Sequence, residues 1–118
     1  MQLAQIGNDH LKATFLSYGA RIVDIRMAEN DLPLILGFPD SMDYLNDTAY
    51  LGAIVGRVAN RIAFGKAKIG SHFFEFDKNE NAIQTLHGGA KSCAVQNWQI
   101  EQNDNVSVTF ALSEPDGH

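Results

Sequence analysis

At 118 residues, with 45% apolar and 19% charged side chains, the chain is one domain's worth or less and globular in composition, not disordered. A chain of this size can bury roughly two-thirds of the surface its unfolded form exposes, enough for one core. The net charge of −5 comes from 9 basic and 14 acidic residues, and Arg21, Arg26, Arg57 and Arg61 never form a run, which argues against nucleic acid because phosphate binding needs a concentrated positive face.

The amino terminus, MQLAQIGNDHLK, has neither a charged n-region nor an apolar h-region, so no export signal is read there. No apolar run approaches the ~20 residues of a membrane helix. The single cysteine, Cys93, has no internal disulfide partner and fits a reducing compartment. A soluble, cytoplasmic protein without membrane partners is expected. The sequons at Asn46 and Asn105 then read as chance.

From Leu11 onward the dominant period is two, the signature of half-buried strands. In LKATF, Leu11, Ala13 and Phe15 share one side; in RIVDIRM, Val23, Ile25 and Met27 alternate with Asp24 and Arg26. After Pro33, LILGF is a short apolar run consistent with a strand covered on both faces. In DSMDYLND, Asp40 or Ser41 caps one helical turn, or the segment is a loop. YLGAIVG, residues 50–56, reads as a buried strand. KAKIGSHFFEF predicts a tight hairpin around Gly70-Ser71, with the glycine at positive φ. WQIEQNDNVSVTFAL predicts a second hairpin, with Val106, Val108, Phe110 and Leu112 on one face. Turn signals at Gly7-Asn8-Asp9, Ser17-Tyr18-Gly19 and Asn103-Asp104-Asn105 punctuate the strands. The fold class is all-β, an antiparallel sandwich or barrel. SEPDGH ends the chain on turn chemistry after a strong strand, and the expectation is a truncated sheet with an exposed edge through which the chain self-associates.

Two motifs carry candidate chemistry. In TLHGG, His87 precedes two glycines; one reading is a surface turn. A lipase-type oxyanion loop fails, since no serine sits in a G-x-S-x-G frame and Ala90 stands where a third glycine would be. Metal binding fails too, with His10, His72, His87 and His118 scattered and Cys93 alone. The remaining reading is a proton donor or sugar-hydroxyl ligand, with the glycines giving a substrate room at the backbone. In GRVANRI, Arg57 and Arg61 are four apart and would share a solvated helix face. Alternatively, Asn60 and Arg61 enter a cleft as adjacent groups able to grip hydroxyls. Spacing leaves both open. Tyr18, Tyr44, Tyr50, Phe73, Phe74, Phe76 and Trp98 are read as core before sugar platform, Phe74 and Phe76 above all.

In combination, GAIVGRVANRIAFGKAKIG, LHGG and Trp98 resemble the amino-terminal part of the aldose 1-epimerases, or galactose mutarotases. LSYGARIVDIRM, LILGFPDSMDYLNDTAYLGAIVGR and LSEPDGH resemble that family's neighbouring segments across essentially the whole chain. The insertion of Glu114 in the S-P-D-G turn and KSCAVQNW after HGG depart from the pattern. The resemblance implies the galactose mutarotase-like supersandwich, an antiparallel β-sandwich of which residues 1–118 would be the amino-terminal part. It implies interconversion of α and β anomers of hexoses such as galactose or glucose, with no metal and no organic cofactor. Asn60 and Arg61 would bind sugar hydroxyls; His87 would bind the sugar and support chemistry at the ring oxygen. The family's principal acid, its base and a sugar-binding aspartate have no counterpart in this chain. A non-catalytic carbohydrate-binding module of the same fold, and one half of a split protein, are the alternative readings.

Overall fold

The computed structural model describes residues 1–115; the turn expected in SEPDGH falls partly, and His118 wholly, outside them. Three strands, β1 (Leu3–Gly7), β2 (Leu11–Leu16) and β3 (Arg21–Met27), form an antiparallel sheet in the order β1-β2-β3. The turns between them use the predicted chemistry. Asn8 Oδ1 accepts from the amides of His10 (2.8 Å) and Leu11 (2.9 Å), while Gly19 takes φ 74° between β2 and β3. A Cβ at Gly19 would lie 2.5 Å from the Ala94 carbonyl oxygen, so glycine is required there for close approach as well.

Four short strands follow: β4 (Arg61–Ile62), β5 (Lys66–Ile69), β6 (His72–Glu75) and β7 (Thr85–Leu86). β5 and β6 form the expected hairpin, Ile69 opposite His72, with Gly70 at φ 61° in the two-residue loop. β8 (Gln99–Asn103) and β9 (Val108–Ala111) form the second hairpin. Its loop is organised by Asp104, which accepts from the Val106 and Ser107 amides and the Ser107 hydroxyl. These bonds, Val106 first, hold its carboxyl down to about 2. The hairpin docks on the first sheet: Gly7 N–H donates to Asn105 O (2.7 Å), Trp98 N–H to Ser17 O (2.9 Å), and Phe15 meets Phe110 at 6.2 Å between ring centroids. Asp40 caps a 3-10 turn over Ser41–Asn46 through Met42 N–H (2.8 Å).

Several expectations are corrected. LILGF is not a strand covered on both faces: Pro33 and Pro39 bracket it, Leu34 N–H donates to Ile25 O (2.8 Å) without a continuing ladder, and Leu36 is 83% exposed. YLGAIVG is irregular because Tyr50 (φ 57°) and Gly52 (φ 64°) leave the β region. GRVANRI is no helix, being interrupted at Asn60 (φ 66°). Val106 lies in the hairpin loop and not in β9. Phe74 is exposed and Phe73 is 78% exposed, because no element packs over β5–β6 among the described residues; Tyr44 does lie in the core.

That core is small. Ala4, Leu16, Ala20, Tyr44 and Ala94 are its buried apolar members, so the chain forms less of a core than its length allows. The radius of gyration is 16.5 Å, against about 13–14 Å for a compact chain of this length. What the interior does hold is a cation. The Arg21 side chain donates to Asp47, to Leu51 O (3.1 Å) and to Ala94 O (3.3 Å), and lies over the rings of Tyr44 (5.4 Å) and Tyr18 (5.6 Å). Burial alone would raise the Asp47 carboxyl. The hydrogen bond from Arg21, the amides of Ala49 and Leu51, and the Arg21 charge outweigh that effect, and the carboxyl lies below its ordinary 3.8.

Because the folded-state value is the lower one, this contribution to stability is complete above about pH 4 and is lost as the pH falls through the folded-state value. Arg21→Met strands a buried carboxylate and is expected to cost about 3–5 kcal/mol in denaturant unfolding at neutral pH. Arg21→Met with Asp47→Leu is expected to recover most of that loss, and an undiminished stability in the single variant would refute the account.

Candidate functional site

The two-residue strands β4 and β7 pair antiparallel, Arg61 opposite Leu86 and Ile62 opposite Thr85. This short ladder brings GRVANRI against TLHGG. Just beyond it Asn60 and His87 hold each other: His87 N–H donates to Asn60 O (3.0 Å), and Asn60 N–H donates to His87 Nδ1 (2.9 Å). With Nδ1 engaged as an acceptor, a neutral imidazole carries its proton on Nε2, which is then a donor.

Two further side chains set the ring. Tyr50 meets it edge-on, centroids 4.8 Å apart at 69°. Asn79 Nδ2 donates to Tyr50 Oη (3.3 Å) and to Leu86 O (3.0 Å), while Leu86 N–H donates to Asn79 Oδ1 (2.7 Å). The Asn79 amide therefore completes β7 as a strand neighbour would, and ties it to Tyr50.

Arg61, its side chain 51% exposed, is gripped by Glu80 through Nε–Oε2 and Nη2–Oε1, both 2.6 Å. Its Nη1 also reaches Asn60 Oδ1 at 3.4 Å, and the Gln84 amide donates to Glu80 Oε2. The hydrogen bond from Arg61, then that from Gln84, holds the Glu80 carboxyl below its usual range, with the charge of Arg61 acting the same way. Such a carboxylate stays ionised and is a weak proton acceptor. Arg57 faces elsewhere, onto Glu114 (3.2 Å) and Pro115 O (2.7 Å), so the two arginines do not share a face.

The backbone is unusual here. Tyr50 (φ 57°), Asn60 (φ 66°) and His87 (φ 53°) are left-handed without being glycine. Each such residue costs about 1–2 kcal/mol, asparagine less, and such outliers cluster at functional sites. Gly88 (φ 91°) and Gly89 (φ 87°) continue the run. The expectation that these glycines open space for a substrate is corrected. A Cβ on Gly88 would lie 1.9 Å from Gly56 O, and one on Gly89 2.0 Å from Asp77 Oδ1, so their missing side chains admit the protein's own groups. Asp77 uses that access to accept from Ala90 N–H (2.6 Å).

The structure thus brings together all three residues singled out in the sequence: Asn60, Arg61 and His87. Sequence reasoning missed Asn79 and Glu80, and it treated Tyr50 as a generic aromatic. The polar run NENAIQ immediately before TLHGG was the available signal. Among the described residues no three His, Cys, Asp or Glu side chains converge as a metal-holding group. Gly88→Ala is expected to lower stability by about 1–2 kcal/mol from the positive φ alone, with further loss from the clash. It should also remove the Asn60 amide's hydrogen-bonded NMR shift; a variant matching the wild type in both would count against this packing.

Residues 2–118 match the family described as aldose 1-epimerase. The chain is 35% identical over 120 residues to "Probable aldose 1-epimerase" of Arthroderma benhamiae, covering 95% of this chain and 27% of that protein. It is 33% identical over 116 residues to the galactose mutarotase of Bos taurus, covering 96% and 33%. The solved GalM/aldose epimerase homologue from C. elegans superposes with a TM-score of 0.86 at 27% identity, covering 94% of this chain and 35% of that one. The chain therefore spans about a third of the length of the relatives it matches. Within that span the chain shares the antiparallel β-sandwich fold of these proteins, and it belongs to the aldose 1-epimerase family.

Proposed function

We propose that this chain supplies the sugar-holding part of an aldose 1-epimerase acting on hexoses such as galactose or glucose, and that residues 1–118 form the amino-terminal part of one sandwich domain. The observation that carries the reading is the convergence of Asn60, Arg61 and His87 across β4 and β7 on a left-handed backbone. Family membership supplies the reaction class.

Anomer exchange requires a proton to leave the anomeric hydroxyl while the C1–O5 bond breaks and O5 takes up a proton. The open aldehyde then turns its other face to the hydroxyl and recloses. In this reading His87 presents Nε2–H to a sugar oxygen and supports charge building on the ring oxygen. Arg61, always charged, orients hydroxyls and transfers no proton. Asn60 braces both. Glu80, ionised and locked to Arg61, is unsuited as the base, so the principal acid and base are groups other than these. The uncovered apolar side chains Ile69, Phe73 and Phe74 suit a sheet completed by further strands of the same fold, or by a second copy along its edge.

Polarimetry of freshly dissolved α-D-galactose tests the activity. His87→Ala is expected to raise KM about tenfold or more, the worth of one buried hydrogen bond to a polar substrate, and to slow turnover. Galactose binding without any acceleration would point to a carbohydrate-binding module. The absence of both binding and acceleration would overturn the proposal.

A further inference from the structure

We propose that Glu80 is a positioning residue for sugar recognition: by occupying the Nε–Nη2 edge of Arg61 it presents the Nη1–Nη2 edge to a pair of adjacent hydroxyls. The inference rests on the sugar-holding role proposed above for Arg61.

A guanidinium carries five N–H groups in one plane, arranged as edges that each match a pair of oxygen acceptors. Glu80 takes one edge completely, with two bonds of 2.6 Å in the parallel geometry that makes charge-assisted pairs strong and directional. Asn60 Oδ1 lies 3.4 Å from Nη1, too long for a firm bond. One N–H on each of Nη1 and Nη2 is left side by side at the tip. Two neighbouring oxygens of a polyol, accepting together, complete it; a single hydroxyl does not.

The carboxylate that does this is itself fixed. The Gln84 amide braces Oε2, and the backbones of the two residues pair, Glu80 N–H to Gln84 O at 3.1 Å and Gln84 N–H to Glu80 O at 3.3 Å. Between them Asn81 (φ 53°) and Ala82 (φ 57°) are left-handed, a tight turn that an alanine adopts only under the constraint of its surroundings. Glu80 is accordingly the less exposed partner, its side chain at 19% against 51% for Arg61. An unheld surface arginine would lose about 2 kcal/mol of rotamer entropy on gripping a ligand. Here much of that ordering precedes the sugar, so the benefit falls on binding and not on the chemical step.

The test compares the wild-type protein with Glu80→Gln and Glu80→Asp, using D-galactose and its 2-, 3- and 4-deoxy analogues as probes. Glu80→Gln keeps the side chain's shape but sets an NH2 against the guanidinium. It is expected to raise Kd and KM for galactose about tenfold, roughly 1.4 kcal/mol, with kcat within about twofold. The wild type should discriminate against the analogues lacking one member of the gripped pair, and Glu80→Gln should compress that discrimination. Glu80→Asp, retaining the carboxylate, should recover part of both losses. Equal Tm across the variants separates these effects from folding. Should Glu80→Gln fail to fold, Gln84→Leu, which only removes the brace, is expected to raise KM in the same direction, and an unchanged KM there overturns the proposal. Galactose binding that ignores Glu80, with discrimination intact, overturns this inference alone. A wild-type protein that binds no galactose overturns the function proposed for Arg61 and this inference with it.

Discussion

The guanidinium of Arg21, 1% exposed, joins parts of the chain that sequence separates widely: the start of β3, the Asp47–Leu51 segment and the Ala94 turn. A buried charge is tolerated only with a counter-charge and hydrogen bonds in place. Asp47 supplies the counter-charge, two carbonyls supply acceptors, and two tyrosine rings supply faces of negative potential. Its Nε finds no hydrogen-bond partner among the described residues. Both limbs of the candidate site hang from this hub. Asp47 leads within three residues to Tyr50, which lies against His87. Ala94 follows Cys93, whose amide donates to Gly56 O (3.2 Å), the same carbonyl against which Gly88 is packed.

From that scaffold the site inherits a directional character. The Asn60 amide occupies Nδ1 of His87, and Glu80 occupies one edge of Arg61, so what these residues offer outward is N–H donors. Donors recognise sugar oxygens and can stabilise charge developing on them, but they cannot take a proton from an anomeric hydroxyl. In the proposed function these residues hold the sugar while other groups move its protons. Left-handed backbone at Tyr50, Asn60 and His87 is the local cost of aiming those donors.

The same chain leaves much apolar surface uncovered. Leu36, Phe73, Phe64 and Val106 are all well exposed, while the buried apolar set is small and includes three alanines. Hydrogen bonds and the Arg21 pair consequently carry a larger share of the organisation than in a domain with a full core. The relatives that the chain matches are about three times as long.

Strand pairs joined by short turns were legible from the residues alone. Period-two alternation beside Gly70-Ser71 and Asp104 determines hairpins through contacts a few residues apart, and the all-β class follows from them; β1, ahead of Gly7-Asn8-Asp9, was not read from the sequence. The apolar runs LILGF and YLGAIVG misled, because an apolar run states that burial is available and not which partner provides it. At the site, residue types and the family resemblance singled out Asn60, Arg61 and His87. That the glycines of TLHGG make room for Gly56 and Asp77, that Asn60 sets the histidine's acceptor nitrogen, and that Glu80 holds Arg61 were decided only by tertiary structure. These are contacts across 12 to 32 residues of chain, set by a two-rung ladder whose register no local pattern encodes.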